Sequence, residues 1–157
     1  MVNWSRLQIR TDRPDTPEML SSWAWLIGRD MHPLVMTKFG DWFLTDPHGR
    51  VHYLDLLEGT CTQVAASVPE FEQLMQEPDK LDSWFMLVFC DALYAAGHLP
   101  DEDQCFGFKV PPRLGAPIDL SNMEVANLMA YQVWMSEVAK IPPGTKVDAI
   151  TINGKLP

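Results

Sequence analysis

His48 and His52 stand four residues apart, with Cys61 further along. Imidazole and thiolate are the donors zinc prefers, so on adjacent strands the three would make a His-His-Cys site. The spacing matches no zinc-finger pattern and histidines are common in turns, so no metal is assigned. His98 and Cys105 bracket Asp101, Glu102 and Asp103. A Cys-His nucleophile needs a thiolate, an orienting group and oxyanion donors, and no Gly-rich loop lies nearby to supply them. The three acids offer oxygen ligands for calcium but lack the ordered ligand pattern of an EF-hand loop. GxGxxG, GxxxxGK[ST], HExxH and GxSxG are all missing. The expectation is therefore no enzyme, no cofactor and no metal. The alternative is a small cytosolic enzyme or ligand-binding protein with a pocket beside a β meander.

Charge is more informative than any motif. The net charge over 157 residues is −9, and residues 51–105 carry eleven acids against Lys80 alone. Such a field repels nucleic acid and anionic membrane and attracts a basic protein partner. Glu70, Glu72 and Glu77, with Asp101, Glu102 and Asp103, are the candidate partner-binding residues. The competing account is a solvated face that only keeps the protein soluble. Hydrophobic residues at 46% and charged residues at 21% suit one globular domain with a substantial core. No apolar run spans a bilayer and no basic-then-apolar leader opens the chain. Cys61, Cys90 and Cys105 are odd in number and contain no CxxC, which suits reduced thiols in the cytoplasm. The six Trp and nine Met fit a core better than a ligand box.

The elements that would position these residues follow from punctuation and period. Thr16 and Pro17 open a helix over 17–27 that stops at Gly28. Short runs at 34–39, 41–45, 51–57 and 60–66, separated by turn residues such as Pro47 and Gly49, predict an antiparallel meander. Ser67-Val68-Pro69-Glu70 is a capping box for a helix over 68–76. Asp79 is placed as the cap of one long helix over 80–96, apolar nearly all round and so expected to be the most buried; Gly97 ends it. A strand follows at 106–110. Ser121 to Glu124 offers a second capping box, and 125–139 has helical spacing, although its first half also suits a strand. Residues 145–152 alternate like an edge strand. The result is an α+β fold in a single domain, residues 1–157, with an antiparallel sheet of about five strands packed with two to four helices. Within it 1–20 is an N-terminal extension, 23–140 the core and 141–157 a C-terminal strand and tail.

Three local patterns add a family likeness. They are Phe39-Gly40-Asp41-Trp42-Phe43-Leu44 with Asp46, Gly49, Val51, Leu54 and Asp55; Gly97-His98-Leu99; and the run from Cys105-Phe106-Gly107-Phe108 through Pro111-Pro112-Arg113-Leu114-Gly115. In this order they resemble the C-terminal domain of type VI secretion DNase-immunity proteins, and more loosely the SMI/SUKH group of α+β immunity proteins. Ala116 stands where that family's pattern has a second glycine, and the extra N-terminal domain of many members is missing or reduced to about 20 residues. The resemblance implies a bacterial cytoplasmic protein that binds and neutralises a secreted toxin, often a nuclease.

Overall fold

β-branched and aromatic residues in short alternating runs make the centre of the molecule. The computed structural model describes residues 2–145. Strands β1 (Gln8–Ile9), β2 (His32–Thr37), β3 (Trp42–Thr45), β4 (Val51–Asp55) and β5 (Thr60–Ala65) form one antiparallel sheet in sequential order. Register is set by alternation. On β3, Trp42 and Leu44 face one side and Phe43 the other, and all three are fully buried. A strand buried on both faces requires helices on both. On one face lie α3 (Val68–Leu74), α4 (Pro78–Phe85) and α5 (Leu87–Ala95), which bring Phe71, Phe85 and Leu93 onto Phe43 and Val51. On the other, α1 (Thr16–Ser21), α2 (Ala24–Ile27) and α6 (Leu128–Val138) bring Met19, Tyr131 and Met135 onto Trp42 and Leu54.

The α+β class and the meander agree with the sequence reading; several details do not. The expected helix over 17–27 is two short helices, with Trp23 buried at the joint. The expected long helix over 80–96 breaks at Met86, which adopts φ +54°, alone among the described non-glycine residues in having positive φ. A left-handed residue with a Cβ costs roughly 1–2 kcal/mol, and the burial of Phe85 and Cys90 on either side of the joint offsets it. Glu77, with Pro78 at the first helical position, starts α4 in place of Asp79. The most buried helix is α6, not the 80–96 segment: Leu128, Tyr131, Gln132, Met135, Ser136 and Val138 are all buried, whereas Val88, Asp91 and Ala95 of α5 are exposed.

The ambiguous segment 125–139 is both alternatives in succession. β7 (Met123–Asn127) pairs with β6 (Gln104–Phe108) in a separate two-stranded sheet. Asn127 then caps α6, its Oδ1 accepting from the Ala130 N–H at 2.9 Å. β6 is joined to the main sheet by the Phe106 N–H, which donates to the Lys38 carbonyl at 2.8 Å. The Ser121–Glu124 capping box is instead a 3-10 turn over Leu120–Asn122, capped by Asp119. The expected strand at 145–152 lies almost wholly outside the described residues.

Candidate partner-binding surface

Ser67 caps α3 as expected, with the Glu70 N–H donating to Ser67 Oγ at 3.3 Å. It lifts Glu70 and Glu72 into solvent on α3 while Phe71 turns into the core. Glu77 is exposed at the start of α4. Asp101, Glu102 and Asp103 follow α5 in a loop and are exposed as well. That loop is fixed rather than free. The Asp103 N–H donates to Asp101 Oδ1 at 2.8 Å, the Asp101 N–H to Gln104 Oε1 at 2.9 Å, and the Leu128 N–H to the Asp103 carbonyl at 2.9 Å.

The three loop acids line a cleft of about 800 Å³ that Glu70, Glu72 and Glu77 do not reach. Trp4, Arg10, Arg13 and Lys38 form its other walls. Arg13, with only 12% of its side chain exposed, holds Asp15 at 2.6 Å and Asp103 at 2.7 Å and donates to the Glu102 carbonyl. Part of the loop's charge is thus spent within the molecule. Sequence reasoning missed this pairing because Arg13 and Asp103 lie ninety residues apart.

Of the residues weighed for metal binding, His52 and the backbone of His48 are held by Asp46. Asp46 Oδ2 bonds Arg50 Nε at 2.7 Å and His52 Nε2 at 2.9 Å, while its Oδ1 accepts from the backbone of His48 and Arg50. Burial alone would raise the Asp46 carboxyl. The His52 ring, the Arg50 guanidinium and those N–H donors outweigh it and hold the group well below the usual carboxylate range. Cys61 sits opposite Leu54 in the sheet, and His52 opposite Gln63. No group of three His, Cys, Asp or Glu side chains able to hold a metal gathers among the described residues. Cys105 is fully buried while His98 is exposed. Burial pushes the Cys105 thiol up, and the Cys90 thiol up to about 12, so both remain protonated near neutrality.

The first quoted motif is a folding device centred on two buried polar side chains. Gly40 has φ +88°, and a Cβ there would sit 2.8 Å from Gln132 Nε2. Asp41 Oδ1 accepts from the Leu56 N–H at 2.8 Å, and its Oδ2 from Thr37 Oγ1 at 3.4 Å. Asp55 accepts from the Leu57 and Glu58 N–H groups and ends β4. In the third motif, a Cβ on Gly107 would lie 2.6 Å from the Tyr131 ring.

Asp41 yields a pH prediction. Burial, then the nearby Asp55 carboxylate, raises its carboxyl well above the ordinary 3.8. A raised carboxyl contributes stability while protonated, fully so below the unfolded value, and that contribution is lost as pH rises through the folded value. Asp41→Asn removes this dependence while keeping an acceptor for Leu56. Urea unfolding should therefore show the variant gaining on wild type as pH climbs from about 4 to about 8. Asp46, depressed in both proteins, destabilises both alike at low pH and cancels. A difference independent of pH would refute the assignment.

An α+β domain with exposed acidic segments is the class of molecule this geometry defines. Residues 65–138 match the family model described as T6SS immunity protein Tdi1, C-terminal, the family its motifs resemble. The match spans the second and third motifs; the first lies before it. No curated protein shows significant sequence similarity to the chain. Among solved structures, the protein Atu4351 from Agrobacterium tumefaciens is similar at 16% identity and a TM-score of 0.47, over 78% of this chain and 64% of that one. The chain therefore spans less than two thirds of that protein's length. Among the described residues no helix is long and apolar enough to cross a membrane.

Proposed function

We propose that this chain is an immunity protein of a type VI system that acts in the cytoplasm, binding a basic toxin, such as a nuclease, in stoichiometric complex and neutralising it without catalysis of its own. The observation that carries the reading is the family match over 65–138, a segment that holds most of the acidic excess. Long-range attraction from exposed carboxylates chiefly speeds encounter, while affinity rests on a few desolvated anchors. Glu70, Glu72 and Glu77 contribute most to that attraction, because Arg13 offsets part of the charge at Asp103.

The test begins with capture of the partner from the native organism, then measurement of association and dissociation rates at low salt and above about 0.1 M, where screening sets in. Glu70→Gln/Glu72→Gln/Glu77→Gln should slow association on the order of 3–10-fold and flatten its salt dependence. Asp101→Asn/Glu102→Gln/Asp103→Asn should do so less. Wild-type association rates and salt slopes in both variants would reduce the acids to a solvated face. A second reading, a small-ligand-binding protein, is favoured by the 800 Å³ cleft, a volume typical of ligand sites. It predicts metabolite-dependent thermal stabilisation in place of a protein partner.

A further inference from the structure

The five-stranded sheet has two edges, and the chain treats them differently. β1 covers one of them with two residues, Gln8 and Ile9, opposite Thr37 and Met36. The rest of β2 is blunted there by Pro33, which has no N–H, and by a register shift between Pro33 and Val35. A short strand, a proline and a bulge are devices that keep a sheet edge from pairing further. At the other edge, β5 pairs with β4 alone. It has six residues, about 20 Å of extended backbone, and holds neither proline nor a charged side chain. Its pairing with β4 runs unbroken from Thr60 to Gln63, and the register shift falls beyond, at Val64.

In an antiparallel strand, alternate residues turn their N–H and C=O groups toward opposite neighbours. Among the described residues no backbone other than β4 bonds β5, and Thr60, Thr62 and Gln63 are exposed. A row of donors and acceptors at this spacing is matched by one ligand geometry, another extended strand. Charge decides whose strand. Glu58 stands exposed just before β5, and Glu70 and Glu72 follow it on α3, which packs against β5. The cations placed near its ends are already engaged: Arg113 donates to the Glu58 and Ile141 carbonyls, and Arg50 to Asp46. A second copy paired antiparallel would bring Glu58 of one chain toward Glu70 of the other, like charge against like. A strand carrying Lys or Arg meets opposite charge at both ends.

We propose that β5 is the docking edge for the partner toxin, which adds an extended basic segment as a sixth strand beside Thr60–Gln63. The inference rests on the immunity reading for its partner, and the strand preference of the edge is testable without one. It gives the exposed glutamates a place in the complex. Glu70 and Glu72 steer the basic segment in, while main-chain hydrogen bonds along β5 hold it. Changes at the edge therefore act mainly on dissociation.

The first arm follows hydrogen exchange and resonances of the backbone amides in the full chain. Without a partner, every second amide of β5 should exchange as fast as a loop amide. Protection of the whole strand means that the edge is already covered, by this chain or a second copy, and overturns the proposal. The peptide Lys-Thr-Val-Thr-Val-Lys at millimolar concentration should shift the amides of 60–64, and Glu-Thr-Val-Thr-Val-Glu should not. No shift with the basic peptide, or equal shifts with both, overturns the edge. The second arm uses the captured toxin, which should slow exchange of the outward β5 amides roughly 10-fold or more. Thr62→Lys/Gln63→Lys, at exposed positions that spare the fold, should speed dissociation roughly 30-fold, and Thr62→Glu/Gln63→Glu should not. Bound toxin that leaves the β5 amides unprotected, or equal dissociation from both variants, overturns the docking edge while leaving the immunity reading intact. Failure of the wild-type chain to bind any toxin removes that reading, and the first arm still decides the strand preference.

Discussion

Replacing Gln132 by Leu should remove on the order of 3–6 kcal/mol of stability, measured by urea unfolding. Gln132 has no solvent exposure and bonds three groups in the core. Its Oε1 accepts from Trp23 Nε1 at 2.9 Å and Trp42 Nε1 at 3.0 Å, and its Nε2 donates to the Gly40 carbonyl at 2.8 Å. Leu is of similar size and leaves little cavity, so the loss comes from polarity. Two indole N–H groups and one carbonyl would stay buried without partners, each costing about 1–3 kcal/mol. Folded domains are stable by only about 5–15 kcal/mol, so this one substitution approaches the whole margin. Water entering to satisfy the orphaned groups would show itself as a loss below about 1 kcal/mol, and the hub account would then be wrong.

Phe85→Ala should cost about 3–5 kcal/mol and Phe89→Ala only about 1–2 kcal/mol, although both are aromatic residues of the same apolar run. Phe85 is fully buried, packing on the Phe43 ring at 5.7 Å and the Trp4 ring at 5.3 Å between centroids. Phe43 in turn touches Phe71 and Trp84 at 4.7 and 5.0 Å. Truncating Phe85 thus leaves a cavity in a close-packed aromatic cluster that cannot collapse. Phe89 follows the joint at Met86, is only partly buried, and lines a pocket beside the exposed Ile118. Denaturation of both variants under one condition decides the matter. Equal losses would mean that α4 and α5 behave as one continuous buried helix.

Local chemistry was sufficient for what the sequence determined. Alternating runs between Pro47, Gly49 and Gly59 specify strands in sequential antiparallel order, because a strand's two faces and its turn residues are set within a few positions. Ser67 and Pro69 specify the start of α3 for the same reason, since a cap is satisfied by its own next three residues. The family motifs were legible too, as residue types at fixed spacing. Only the tertiary structure decided the break at Met86, where no glycine or proline stands and long-range burial supports a left-handed residue. It also decided that α6 is the innermost helix, since its mixed period conceals Gln132 as a core residue until Trp23, Trp42 and Gly40 are brought around it. The candidate site divides along the same line. Exposure of Glu70, Glu72, Glu77 and the 101–103 loop follows from local polarity. The ion pair of Arg13 with Asp103, and the cleft whose other walls include Trp4 and Lys38, arise between residues far apart in the chain. Charge and cavity are properties of neighbours in space, and sequence spacing carries no record of them.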